Sequence, residues 1–144
     1  MNESVPGSIH WSFWIIGIVA LIWNVLGGIN FVAQMNADVV ASMPATHRAI
    51  IDGRPVWATG GFAIAVFGGA IGCLLLLFRK SAALYLLIAS LLGVIVTMIH
   101  TFLIARSRID FSSIEIVMMV LMPLVVAVFL VWYSMMAERR GWVT

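Results

Sequence analysis

The chain has 144 residues, 63% of them hydrophobic and only 10% charged, with a formal net charge of +2. A soluble domain carries about 25% charged residues, and one this apolar would expose large sticky patches to water, so the composition excludes an ordinary soluble globule and points to one membrane domain over residues 1–144. The small charge, with no basic run longer than two residues, argues against nucleic-acid binding, and a single cysteine, Cys73, excludes an intrachain disulfide or a thiolate metal site.

The chain starts with Glu3 and no Lys or Arg before Trp11, so the first apolar stretch reads as a retained helix rather than a signal peptide. Crossing the hydrocarbon takes roughly 20 apolar residues as a helix, and four stretches qualify, at about residues 11–32, 57–78, 82–105 and 114–136. Trp11, Trp14, Trp57, Trp132 and Trp142 mark their borders, as interfacial aromatics do. Between the first two stretches, residues 44–52 predict a short helix stopped by Gly53 and Pro55 and lying flat on the membrane surface. Arg79-Lys80-Ser81 makes a tight turn between spans 2 and 3, and Pro123 is expected to kink span 4. The fold class is all-α, an antiparallel four-helix bundle in the membrane.

Basic residues divide evenly, with Arg79, Lys80, Arg139 and Arg140 on the side of the termini and Arg48, Arg54, Arg106 and Arg108 on the other. The first four abut helix ends in the shortest segments, which predicts cytoplasmic termini.

Helical spacing predicts the packing faces. Span 2 aligns Ala58, Gly61, Ala65, Gly68 and Gly72, and span 1 aligns Gly17, Ala20, Asn24, Gly27 and Gly28. Small residues let membrane helices approach closely, so Asn24, Gly61, Ala65, Gly68 and Gly72 are packing candidates, within the chain or in a homodimer. Polar residues inside a membrane are costly and mark function by default. Asn30, Gln34, Thr97, His100, Thr101 and Glu115 all fall in the half of the bundle away from the termini. A neutral histidine beside a carboxylate suits proton transfer or orientation of a polar ligand, so Asn30, Gln34, Thr97, His100 and Glu115 form the candidate ligand site. Blander roles compete: Ser112 and Glu115 fit a capping box, His100 sits near a helix end, and the amides suit interhelical hydrogen bonds. Met118, Met119 and Met122 share a face that reads as flexible packing rather than a Cu(I) site. No motif for nucleotide, metal or nucleophilic chemistry is present, so neither enzyme activity nor a cofactor is expected.

The stretch Trp57-Ala58-Thr59, the run from Phe62 to Leu77, the region from Phe13-Trp14 to Trp23-Asn24 and the ending Gly141-Trp142 resemble a family of small four-span bacterial proteins often named "sugar transporter". That resemblance implies a bacterial inner-membrane location and a four-span layout, and carries over no functional residue. The chain differs from small multidrug transporters, which place a glutamate within the first helix. Two functions compete: transport or binding of a small polar solute, with a path between the protomers of a homo-oligomer, or a non-catalytic accessory or assembly role beside another membrane protein.

Overall fold

A computed structural model describes residues 8–107 and 111–144, so Glu3 and Arg108 lie outside the described residues. The first span is α1 (Trp11–Ala33), followed by two short helices, α2 (Ala37–Ala41) and α3 (Ala45–Ile51). Spans 2 and 3 are α4 (Val56–Leu77) and α5 (Ala83–Ser107). Span 4 is continuous but composite: α6 (Ser113–Ile116), a π-helical turn (Val117–Leu121) and α7 (Met122–Arg139). All four spans are long and apolar enough to cross a bilayer. The four stretches expected from hydropathy are helices within a few residues of their predicted limits, and the surface helix predicted for 44–52 is α3. The sequence reading missed α2, a single turn capped by Asn36, whose Oδ1 accepts from the N–H groups of Asp38 and Val39 at 2.9 and 3.4 Å.

At Pro123, where a kink was expected, the structure shows a π-helical turn just before it. A proline lacks an N–H and its ring collides with the carbonyl four residues back. The chain widens just upstream, and the N–H of Met122 reaches Val117 O, one residue further than in an α-helix. Such wide turns recur at functional sites.

Spans 2 and 3 pack most intimately, α1 lies along α4, and α7 lies along α5. Glycines explain the closeness. A Cβ on Gly93 would stand 2.5 Å from Gly61 O and 2.7 Å from the Ala65 nitrogen, so this crossing is backbone against backbone. Gly68 and Gly72 also face α5, against Leu86 and Ser90 and against Leu87 respectively. The glycine stripe of span 2 thus packs within the chain. Gly69, outside that stripe, makes room for the amide of Asn24 on α1, which donates to Ala20 O at 2.9 Å and to Cys73 Sγ at 3.7 Å. Asn24, Ser90, His100 and Thr101 are all buried, while Ile, Leu, Val and Phe dominate the exposed surface.

The two ends of the bundle differ. At the end holding the start of α1, the α4–α5 turn and the C-terminus, Phe13, Leu76, Ala83, Tyr133, Ala137, Trp142 and Val143 form one buried cluster. Gly141, at φ 70°, closes α7 in a Schellman motif, with N–H bonds from Trp142 to Ala137 O and from Gly141 to Glu138 O. Arg79, at φ 61°, closes α4 by the same geometry. The two caps are then tied together: Thr144 N–H donates to Arg79 O, Ser81 N–H to Thr144 O, and Arg79 Nε to Trp142 O at 2.8 Å. We call this the closed end. The opposite, loop end carries α2, α3 and the candidate site.

Candidate functional site

The loop end holds a cavity of about 430 Å³ lined by all four spans and by α3. Its polar rim is built around Arg54, two residues before α4. Arg54 Nη1 donates to Gln34 Oε1 at 2.8 Å, tying the end of α1 to the start of α4. Arg54 Nε donates to Thr59 Oγ1 at 3.2 Å, and its guanidinium carbon lies 5.4 Å from the centre of the Phe62 ring. Phe62 is in turn held edge-on by Phe31. Partial burial lowers the Arg54 pKa from its ordinary value, yet an arginine stays protonated in a protein. The rim therefore carries a fixed, aimed positive charge. Asn30 and His47 complete it.

Helix α3 crosses the mouth with His47, Ile50 and Ile51 facing the cavity. It is latched to span 4, because Thr46 Oγ1 donates to Glu115 Oε1 at 2.6 Å. The other carboxylate oxygen of Glu115 accepts from Ser112 N–H and Oγ at 2.9 and 3.0 Å. Ser112 Oγ in turn accepts from Glu115 N–H, completing the capping box.

Below the rim the walls are apolar. Two hydroxyls there are already bonded to backbone: Ser90 Oγ donates to Ala65 O at 2.6 Å across the α4–α5 contact, and Thr97 Oγ1 to Gly93 O at 2.9 Å. The floor is the buried cluster of Ala20, Cys73, Leu87 and Leu130. Met118, Met119, Val120 and Pro123 bring the π-helical turn onto the cavity wall.

Of the five candidate ligand residues, Asn30, Gln34 and Thr97 line this cavity, while His100 and Glu115 do not. The structure gives those two other surroundings. His100 is buried against Trp57, ring centres 5.9 Å apart and edge to face, and the Glu115 carboxylate is taken up by Thr46 and Ser112. Among the described residues no hydrogen bond joins His100 to Glu115, the two groups proposed to move a proton or orient a polar ligand together. Thr101 and Asn24 line the cavity as well, with Asn24 also filling its packing role. Of the three stripe methionines, Met118 and Met119 reach the cavity and Met122 does not. Among the described residues, no group of three or more His, Cys, Asp and Glu could hold a metal ion.

Sequence reasoning missed Arg54, which it counted as a border charge. The available signal was its position: Arg54 and Gln34 bracket the same loop at the same end of the bundle, which makes them candidates to meet.

No protein-family model, curated protein or solved structure matches the chain. The site must be interpreted from its own geometry.

Proposed function

We propose that this multi-pass membrane protein binds a small molecule inside its single bundle, with the polar rim of Asn30, Gln34 and Arg54 receiving the ligand's polar group and α3 covering it. The observation that carries this reading is a cavity of about 430 Å³ with a half-buried guanidinium at its rim. Small-molecule sites share this character: about 300–1,000 Å³, mostly apolar, with a few placed polar groups. All four spans of one chain contribute to the lining, so this reading places the ligand inside the bundle, where the sequence had suggested a path between protomers.

The resemblance noted above and the arginine and lysine residues abutting the spans at the closed end support a bacterial inner membrane with cytoplasmic termini. The cavity mouth then opens toward the exterior.

The test is a thermal-stability screen of purified protein against small solutes and amphiphiles. A ligand at 100 times its Kd stabilises by about 2.7 kcal/mol. The proposal expects a stabilising compound for the wild type whose effect disappears in Arg54→Gln. A screen in which every compound acts equally on both proteins, or on neither, contradicts it.

A further inference from the structure

The cavity is long. Asn24 and Gln34 both line it, and ten residues of helix separate them, which is about 15 Å. Its chemistry is graded along that length. Charge and free amide groups gather at the rim, in Arg54, Gln34 and Asn30. The shaft beneath is walled by residues such as Val66, Val94, Val126 and Leu130, and the hydroxyls of Ser90 and Thr97 are already bonded to carbonyls. A compact polar solute would find few hydrogen-bond partners in such a shaft, where Asn24 is the amide that reaches its depth, whereas a hydrocarbon chain fits it.

The rim specifies the other half of the ligand. A guanidinium has five N–H donors, and the bonds to Gln34 and Thr59 use two of Arg54's. Its remaining donors suit the planar or tetrahedral oxygens of a carboxylate or phosphate. Arg54 stands two residues before the first residue of α4, at the level where lipid headgroups lie.

The path in is lateral. Spans 1 and 4 share the buried clusters at and next to the closed end, where Phe13 stacks on Tyr133 with ring centres 6.4 Å apart and Ala20 joins Leu130, but among the described residues their backbones have no extended close approach. Trp23, Leu26 and Met118 line the cavity and are also exposed on the outside of the bundle. A chain lying in the membrane can slide between these spans while its head stays at the interface.

From this geometry we infer that the ligand is a single-chain anionic amphiphile, its carboxylate or phosphate head held by Arg54 and its chain in the shaft between spans 1 and 4. The inference rests on the small-molecule binding proposed above. A chain moving from lipid into an equally apolar shaft gains little, so the head decides selection.

The experiment measures equilibrium binding of radiolabelled dodecyl phosphate to the full-length protein in phosphatidylcholine nanodiscs. Unlabelled dodecanoate, dodecyltrimethylammonium, dodecyl maltoside and butyl phosphate serve as competitors. Saturable binding of one dodecyl phosphate per chain is expected, unaffected by the cationic and neutral dodecyl compounds. The strength of competition by dodecanoate shows which anionic head the rim prefers. Arg54→Gln should weaken binding by about tenfold or more, the scale of one charge-assisted hydrogen bond, with Arg54→Lys recovering part of it. Val94→Trp should fill the shaft and abolish dodecyl phosphate binding with the rim intact. Equal competition by all dodecyl compounds, or unchanged binding in Val94→Trp, overturns the inference. If butyl phosphate binds as well as dodecyl phosphate and survives Val94→Trp, the amphiphile is wrong while small-molecule binding stands. If no probe binds saturably, both readings fall.

Discussion

The closed end and the loop end are built from the same four spans, yet they are held together by different means. At the closed end, backbone groups and aromatic rings do the joining: two Schellman caps are cross-tied through Thr144, and Phe13 is wedged between Tyr133 and Trp142. At the loop end the bridges run through side chains, in the hydrogen bonds of Thr46 to Glu115 and Arg54 to Gln34 and the ring edges of Phe31 on Phe62 and Trp57 on His100, with no cross-tied caps among the described residues. Backbone ties within a dry cluster resist local opening, and isolated polar bonds at a membrane surface do not. Stability is therefore concentrated at one end, which leaves the other free to hold a cavity and a cover that can lift.

Substitutions can break or sharpen that contrast. The largest effect is expected for Phe13→Ala, which empties a site with no solvent exposure at the centre of the closed-end cluster. It should cost about 3–5 kcal/mol, read from unfolding in mixed detergent micelles. Gly93→Ala comes next, because the new methyl would press on the backbone of Gly61 and Ala65. Overpacking of this kind costs about 1–3 kcal/mol, and the same unfolding curves would show it. Ser90→Ala removes the Oγ bond to Ala65 O in the same crossing. Interhelical hydrogen bonds in membranes average about 0.6 kcal/mol, so a small shift in midpoint is expected. Thr46→Val deletes the latch on α3. It should leave global stability within about 0.5 kcal/mol, while the amides of α3 exchange with deuterium measurably faster. If Thr46→Val instead destabilised the whole bundle as much as Phe13→Ala, the division of labour between the ends would be wrong.

The fold was largely legible in the sequence, because lipid leaves a long apolar run no choice but a helix. Packing was legible in part. Gly61, Gly68 and Gly72 were recognised as a close-contact face, but Gly69 was not, since its role depends on Asn24 arriving from another span. The π-helical turn escaped because Pro123 announces a disturbed helix without saying how the chain will absorb it. For the site, the polar clustering at one end was visible, and Asn30, Gln34 and Thr97 do share a cavity. Pairing His100 with Glu115 failed for a physical reason. Both belong to the same end of the bundle, but helix rotation turns His100 toward Trp57, and the first turn of span 4 claims Glu115 as its cap. Arg54 was hidden by its place outside the spans, where an arginine ordinarily marks only a membrane border.

The account depends on the loop end being accessible while the closed end is dry. Single cysteines at Thr97, in the cavity, and at Ser134, 1% exposed in α7 near the closed end, test this directly in a Cys73→Ala background. Each variant, reconstituted in membranes, would be treated with a small uncharged thiol reagent. Thr97→Cys should be modified readily and Ser134→Cys should remain unmodified. Equal reactivity of the two positions, or reaction at Ser134→Cys alone, would contradict the central claim.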